Sequence, residues 1–217
     1  MVDDGYVKYK SVWTRSQPVS KHKIHDILVW REELYQKNLV GAYDNGVGFG
    51  NISQRIPHTN EFCITGTATG NESSLTPNHI SIVHQVNIDE NYLECIGPIR
   101  ASSEAMTHAA IYLTDPEIQA VIHIHNLALW DALYDAAPTT HPKAEYGTPL
   151  MAHEIAKIVT EYKKKKRKPL IIMAGHTEGI IAYGKTMDDA AHVILRELAK
   201  IGDKVTHVDI HEDEHEA

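Results

Sequence analysis

Short strand patterns separated by turn residues run through the first half of the sequence. The segments are "NISQRI" at 51–56, "EFCITG" at 61–66, "HISIVHQV" at 79–86 and "YLECI" at 92–96. Apolar and β-branched runs of this length, bounded by Gly, Pro and Asn, are typical of strands joined by hairpins. A chain with this feature has to build a sheet, so the pattern excludes a purely helical fold.

Helical patterns flank these strands. Apolar residues at helical spacing predict helices at 20–41, 102–114, 147–162 and 186–201, with a shorter one at 126–135. Gly41 is the predicted end of the first helix, and a serine is predicted to cap the start of the second. Thr148 followed by Pro149 is typical of a helix start.

Three further apolar runs, at 118–125, 169–175 and 179–184, predict buried strands. Residues 1–19 show no clear period, so we expect a loosely packed N-terminal arm, and we expect residues 203–217 to be an acidic, solvated tail. The chain has 217 residues and no internal repeat. Its mixture of strands and helices therefore predicts one layered α/β domain spanning residues 1–217.

The charge and the cysteine content narrow the possible partners. The formal net charge of −8 argues against nucleic acid, because binding a phosphate backbone needs a basic face. No apolar run approaches the ~20 residues that span a bilayer, and the acidic, polar start "MVDDGYVKYK" is unlike a signal peptide. Cys63 and Cys95 cannot build a disulfide framework. We therefore expect a cytoplasmic protein with reduced thiols and no membrane partner.

The predicted strand at 118–125 carries His123 and His125 inside an apolar run. Successive residues of a strand point to opposite faces, so the two histidines share one face while Ile122 and Ile124 share the other. Two imidazoles placed in this way can bind one metal ion. A pair of hydrogen-bonded core histidines is the alternative explanation, and the pair alone does not decide between them.

His176 follows the apolar run "LIIMA" and supplies a third imidazole at a strand end. Three neutral imidazoles with an open position are common in catalytic zinc sites, whereas structural zinc sites are closed and rich in cysteine. Glu104, in "SSE" at a predicted helix start, is a candidate fourth ligand, because the positive end of a helix favours a carboxylate. A simple helix-start acid explains Glu104 equally well.

The same helix start is a candidate anion site. Ser102 and Ser103 bring hydroxyls and exposed backbone N–H groups to it. The glycine-rich stretches "GFGN" at 48–51 and "ITGTATG" at 64–70 could add further backbone donors. Each feature is also explained as a cap or a turn, but together they predict a phosphate pocket beside a metal.

The order of these motifs resembles the class II aldolase/adducin family. "GNISQR", "ITG", "SSE", "HIH" and a later His before a Gly-containing strand carry the resemblance, which covers about residues 24–201. It implies a three-layer α/β/α fold around a mostly antiparallel sheet, usually in a homotetramer with sites between subunits. It implies zinc, or another divalent metal, bound by Glu104, His123, His125 and His176. It also implies a phosphate pocket formed by Gly50, Asn51, Thr65, Gly66, Ser102 and Ser103.

The activity implied by the resemblance is that of a zinc-dependent aldolase of carbohydrate metabolism. Such a carbon–carbon lyase cleaves a small keto-sugar 1-phosphate to dihydroxyacetone phosphate and an aldehyde, with the metal as Lewis acid and Glu104 as the catalytic proton-transferring group. The alternatives are dehydration or epimerisation of a keto-sugar phosphate, and a non-catalytic adducin-like interaction module. Glu104 argues against epimerisation, because the 4-epimerases of the family usually carry another residue there. The four retained ligands argue against the module.

Two departures from the family pattern bear on the reaction. "GHTEG" at 175–179 is two residues longer than the His–Gly pair common in the family. In the sugar aldolases, a segment before the helix predicted at 147–162 carries a tyrosine that protonates the aldehyde oxygen from a neighbouring subunit, and this chain lacks that segment. Tyr134, His141 and Tyr146 are candidate substitutes, and the sequence does not select among them.

Overall fold

A central sheet of eight strands organises the chain. The computed structural model describes residues 7–165 and 168–212, with side chains for 7–164 and 168–202. The sheet consists of β1 (Lys10–Arg15), β4 (Asn51–Arg55), β5 (Phe62–Thr65), β6 (Ile80–Asn87), β7 (Tyr92–Gly97), β8 (Ala120–His125), β9 (Leu170–Ile172) and β10 (Gly179–Gly184). Strands β2 (Gly41–Ala42) and β3 (Gly48–Phe49) form a separate hairpin. The strand order is β1-β7-β6-β5-β4-β8-β10-β9. The β1–β7 pair is parallel, and the six other pairs described in the sheet are antiparallel.

Helices cover both faces of this sheet. They are α1 (His25–Gln36), α2 (Ala105–Thr114), α3 (Leu127–Leu133), α4 (Pro149–Lys165) and α5 (Met187–Glu212). One buried apolar cluster joins α2 and α4 to the sheet, and a second joins α1, α3 and α5 to the opposite face. The predicted three-layer α/β/α fold with a mostly antiparallel sheet is therefore confirmed. None of the described helices combines the length and the apolar character needed to cross a membrane.

In the interior strand β8, successive side chains point to opposite faces of the sheet, as its sequence predicts. Ile122 and Ile124 belong to the cluster beneath α1, α3 and α5. Val121 belongs to the cluster beneath α2 and α4, which is also the side of His123 and His125. All six residues of β8 are buried. The strand therefore presents two imidazoles on one face without interrupting the apolar packing on the other.

The prediction of a loosely packed arm was wrong for residues 10–15, which form the edge strand β1. Lys10 N donates to Asn91 O at 2.8 Å, and Trp13 Nε1 donates to Gly97 O at 3.0 Å. Most of the strand is exposed on both faces, so it lacks the alternation from which strands are predicted. Lys10 and Arg15 suit an open sheet edge, where charged side chains discourage further pairing. Residues 1–6 of the predicted arm lie outside the described residues.

Helix ends also differ from their predicted positions. Helix α1 ends at Gln36, and Asn38 takes a left-handed backbone conformation with φ of 54°. Helix α2 has Glu104 rather than a serine at its N-cap. Helix α5 continues to Glu212 through most of the segment expected to be a tail, since neither Gly nor Pro follows Gly202 to stop it. Residues 213–217 lie outside the described chain.

Candidate functional site

Three histidine side chains meet in one place. Nε2 of His125 lies 3.1 Å from Nε2 of His123 and 3.0 Å from Nε2 of His176. The three side chains are buried, and their ligand atoms lie within 4.8 Å of one another. Two nitrogens bound to one tetrahedral zinc at bond lengths near 2.0–2.1 Å lie roughly 3.3 Å apart. The imidazoles would therefore have to separate by only a few tenths of an ångström to hold such an ion, and the residues fit a divalent metal.

Close main-chain packing positions the third histidine. His176 belongs to the turn that joins β9 to β10, and its carbonyl accepts from Gly179 N at 2.9 Å. A Cβ on Gly175 would collide with the carbonyl of Ala144. The absence of a side chain at Gly175 lets the turn pass close to the neighbouring segment, which brings the His176 ring over β8.

Burial keeps these imidazoles in the form that binds metals. It lowers the pKa of His123 to about 4, and it lowers the pKa of His125 and of His176 well below the ordinary value. The neutral ring offers a lone pair to a metal. Nδ1 of His123 lies 3.2 Å from the carbonyl oxygen of Ile180. Donation from Nδ1 to that carbonyl leaves the lone pair on Nε2, which faces the other two histidines.

Glu104 lies beside the three histidines, at the N-terminal end of α2. Its side chain is 3% exposed, and its Oε1 is 3.7 Å from Nε2 of His176. Its Oε2 accepts a hydrogen bond from Thr107 Oγ1 at 2.8 Å. The positive end of the helix favours a charged carboxylate in this position. The structure thus brings all four predicted metal-site residues together.

A cavity of about 520 Å³ opens over this group. Five of the six predicted phosphate residues lie on its wall, namely Gly50, Asn51, Gly66, Ser102 and Ser103. Thr65 is not among the described wall residues, because its Oγ1 turns toward β4 and accepts from Ile52 N at 3.2 Å. Five of the predicted phosphate residues and all four predicted metal residues therefore share one cavity.

Two of the wall positions have a specific geometry. Gly50 has φ of +74°, and a Cβ there would lie 2.6 Å from Val40 Cγ1 and 3.0 Å from the carbonyl oxygen of His123. This close approach lets Asn51 begin β4 directly opposite His123. The side-chain oxygen of Asn51 is buried and has no hydrogen-bond partner among the described residues. A buried amide of this kind normally has a partner, so it suits a polar ligand.

Gly66 contributes shape to the cavity. Its N–H donates to the carbonyl of His79 at 2.8 Å. A Cβ on Gly66 would lie 2.5 Å from Ile99 Cγ2, so a larger residue here would require the Ile99 side chain to move. The segment predicted to be a loose arm also supports the site, since Tyr9 Oη donates to the carbonyl of Ser102 at 2.8 Å.

One of the three candidate proton donors lies on the cavity wall. Tyr146 is buried on the cavity wall, and its ring centroid lies 4.7 Å from that of His176. Tyr134 instead packs against Trp130 with ring centroids 4.7 Å apart, and His141 is exposed. Neither of the two lies on the described cavity wall.

The sequence did not reveal two other residues near the histidines. Tyr43 Oη lies 2.7 Å from Nδ1 of His125 and donates to Glu178 Oε2 at 2.8 Å. Glu178 belongs to the "GHTEG" stretch that departs from the family pattern, and that departure was the one available signal. Nothing in the sequence pattern linked it to Tyr43, which lies 135 residues away along the chain.

Comparisons with solved structures agree with the observed fold. L-fuculose-1-phosphate aldolase from Thermus thermophilus has a TM-score of 0.64 and 18% identity, with 91% of this chain and all of that chain covered. A sugar-phosphate aldolase from Thermotoga maritima has a TM-score of 0.61 and 18% identity, with 86% and 96% covered. The N-terminal class II aldolase domain of a conserved protein from Thermoplasma acidophilum has a TM-score of 0.56 and 13% identity, with 88% and 97% covered.

At these identities the structural matches establish a shared fold. No match to this chain is found among curated proteins. The family model for the class II aldolase and adducin N-terminal domain matches residues 30–201, which is most of the chain and includes every residue of the histidine cluster. On this match, the chain belongs to the class II aldolase and adducin family.

Proposed function

We propose that this protein is a zinc-dependent aldolase that cleaves a small keto-sugar 1-phosphate to dihydroxyacetone phosphate and an aldehyde. The observation that carries the proposal is the shared cavity, where three neutral imidazoles and a carboxylate lie beside the Ser102–Ser103 helix start. The names of two similar structures, an L-fuculose-1-phosphate aldolase and a sugar-phosphate aldolase, agree with a phosphorylated sugar as substrate.

The proposed metal ligands are His123, His125, His176 and, before substrate binds, Glu104. When bound, a divalent metal supplies a Lewis acid that stabilises negative charge on the carbonyl and hydroxyl oxygens of the substrate. The histidines offer three nitrogens, which is the usual number of protein ligands in a catalytic zinc site. Glu104 would occupy the fourth position until an oxygen of the substrate replaces it.

The proposed phosphate pocket lies at the start of α2. Ser102 and Ser103 offer hydroxyls beside the helix start, and Asn51 offers the N–H groups of its side-chain amide. Gly50 and Gly66 shape the wall, and Thr65 supports it by accepting from Ile52 N. Phosphate binding here is remote from the reacting carbon, so its binding energy can orient that carbon against Glu104.

Two side chains are proposed to move protons. In the cleavage direction, Tyr146 in its phenolate form takes the proton from the hydroxyl whose carbon becomes the aldehyde. The carbon–carbon bond then breaks, and its electron pair stays on the ketone half as an enediolate. Glu104, which carries a proton at this stage, delivers it to that carbon, which yields dihydroxyacetone phosphate and leaves a carboxylate. Loss of the proton from Tyr146 to water and uptake of one by Glu104 then restore both groups. Tyr146 is the one phenol among the described residues of the cavity wall.

Proton exchange tests the proposal without knowledge of the aldehyde. Zinc-loaded protein is incubated with dihydroxyacetone phosphate in deuterated water, and replacement of a carbon-bound proton is followed by NMR. We expect exchange that depends on both metal and protein. A panel of short aldehydes is then added, and condensation products identify the partner half. Absence of exchange in protein shown to contain stoichiometric zinc would reject the aldolase assignment.

A dehydratase of the same substrate class is the second candidate, because such relatives also keep an acid at the position of Glu104. It would consume a keto-sugar phosphate without releasing an aldehyde, so product analysis separates the two reactions. The proposal includes a homotetramer, which sedimentation measurements can test. It also includes a cytoplasmic location, which agrees with Cys63 and Cys95 being buried and free.

A further inference from the structure

A chain of hydrogen bonds ends on one of the proposed metal ligands. Nδ1 of His125 lies 2.7 Å from Tyr43 Oη, and Tyr43 Oη lies 2.8 Å from Oε2 of Glu178. The direct distance from Nδ1 to that carboxylate oxygen is 3.9 Å, so the phenol bridges the two groups. His123 differs, because its Nδ1 faces a backbone carbonyl.

The chemistry of the three groups fixes the direction of these bonds. A carboxylate has acceptors only, so the single phenol proton of Tyr43 is donated to Glu178. The phenol oxygen then accepts from the ring of His125, which places the imidazole proton on Nδ1. The lone pair of His125 is consequently on Nε2, the atom that lies 3.0–3.1 Å from the other two histidines.

Tyr43 is held in place by the β2–β3 hairpin. Its backbone N–H donates to the carbonyl of Val47 at 2.9 Å. Its ring packs on Phe49 with centroids 4.6 Å apart, and Phe49 in turn stacks on the His125 ring at 5.4 Å and 29°. The hairpin therefore fixes both the position of the phenol and the plane of the imidazole.

Glu178 is held by an unusual backbone conformation. Its φ is +68°, in the left-handed region that residues other than glycine seldom adopt. Its carbonyl accepts from the N–H of Asn126 at 3.0 Å, and Asn126 directly follows His125. Local strain of this kind persists where the surrounding contacts require it. Glu178 is thus tied to the end of β8 by its main chain and to Tyr43 by its side chain.

We infer that Tyr43 and Glu178 are positioning residues for His125, which fix its tautomer and aim its Nε2 at the metal. The inference rests on the metal site of the proposed function. Histidine ligands typically donate their other ring N–H to such a partner, and loss of the partner commonly weakens metal affinity by about 10–100-fold. The carboxylate at the end of the chain also increases the electron density on the ligand nitrogen.

The test measures metal binding and needs no substrate. Full-length protein is freed of metal with a chelator, and zinc affinity is measured by competition with a chromophoric chelator. We expect Tyr43→Phe, which keeps the ring contacts and removes the hydroxyl, to weaken zinc binding by about 10–100-fold. Tyr92→Phe is the matched control, because Tyr92 Oη donates to Glu94 Oε1 at 2.6 Å on β7, four strands away from β8 in the sheet. Its zinc affinity should equal that of the wild type.

A second variant tests the chain of hydrogen bonds from His125 through Tyr43 to Glu178. Glu178→Asn suits the left-handed backbone and is too short to reach the phenol. It should weaken zinc binding as Tyr43→Phe does, and the double variant should be no worse than either single one, because all three break the same chain. The visible spectrum of the cobalt-loaded protein should change in both variants and stay constant in Tyr92→Phe.

The outcomes separate this inference from the function on which it rests. Wild-type affinity in Tyr43→Phe, or strictly additive losses in the double variant, would overturn the positioning role while leaving the metal site intact. Wild-type protein that takes up neither zinc nor cobalt would overturn both.

Discussion

Glu104 occupies a position from which it can serve either as a ligand or as a proton carrier. Its Oε1 lies 3.7 Å from Nε2 of His176, and its Oε2 accepts from Thr107 Oγ1 at 2.8 Å. The bond from Thr107 anchors one oxygen, which leaves the other directed at the histidine group. A carboxylate held in this way can leave the proposed metal and remain within reach of the carbon of the proposed substrate.

Substitution of this carboxylate separates its two roles. We expect Glu104→Gln, when saturated with zinc, to exchange the proton of dihydroxyacetone phosphate about 10²–10⁴-fold more slowly than the wild type, which is typical for loss of a general acid–base group. Zinc content is measured on the same sample. Restoration of the wild-type exchange rate by excess zinc would show that Glu104 is a ligand only.

The proposed role of Tyr146 leads to a prediction that differs from the one for Glu104. The proposed exchange of a dihydroxyacetone phosphate proton needs Glu104, whereas condensation with an aldehyde also needs a proton donor for the aldehyde oxygen. Tyr146→Phe should therefore retain proton exchange and lose about 10²-fold or more of its condensation rate. Tyr134→Phe, outside the described cavity wall, is the control and should retain both rates. Equal loss of the two rates in Tyr146→Phe would contradict the assignment.

At the scale of elements, the start of α2 combines a helix end with two serines. Ser102 and Ser103 are 5% and 8% exposed, so a ligand there is largely removed from water. Helix-end N–H groups and hydroxyls attract an anion in such surroundings, and a fixed negative charge would repel it.

A charge introduced at this element should abolish phosphate binding. We expect Ser103→Asp to show no measurable affinity for inorganic phosphate in calorimetry, while the wild type binds. Ser74→Asp adds the same charge at an exposed loop position and should bind as the wild type does. Phosphate binding by Ser103→Asp at wild-type affinity would place the anion elsewhere.

The elements also show where sequence patterns are informative. Strand β8 and the shared face of its two histidines could both be predicted, because successive side chains of a strand point to opposite faces and His123 and His125 are two residues apart. Strand β1 was missed because an edge strand exposed on both sides leaves no such pattern. Helix α5 was predicted too short, because the acidic end "HEDEHEA" outweighed Val205 and Val208, which continue the apolar helical spacing from Ile201.

At the scale of the whole molecule, burial of histidines links stability to pH. Burial lowers the pKa of His108, His125 and His176 well below 6.5, and lowers the pKa of His123 to about 4. In the unfolded chain these groups bind protons near pH 6.5. Between that pH and the lower folded values, the unfolded state holds more protons. The free energy of unfolding of the metal-free protein should therefore decrease as the pH falls from about 7 toward 4.

Urea unfolding at pH 7 and pH 5 measures this dependence. The midpoint of the metal-free protein should be lower at pH 5. His108→Gln, which keeps a hydrogen-bonding group near Ser53, should take up about one proton fewer on unfolding at pH 5 than the wild type. A wild-type midpoint that is the same at both pH values would contradict the prediction.

The complete site required the tertiary structure. The four residues of the proposed metal site could be selected from the sequence because strand alternation and the family motifs mark them individually. The pairing of Tyr43 with Glu178 could not, because it depends on how the β2–β3 hairpin and the turn after His176 approach each other. The choice of Tyr146 over Tyr134 likewise depends on which ring lies against His176.

The pairing of Asn51 with His123 on adjacent strands has a consequence for selectivity. Residues paired in this way project from the same face with Cβ atoms about 4.5–5.5 Å apart. Main-chain hydrogen bonds therefore set the separation between the proposed phosphate group and the proposed metal, and no loop has to close to establish it. A site of this kind discriminates by molecular length. We expect it to accept a phosphate on the carbon next to the ketone and to reject homologues with one additional methylene between the two.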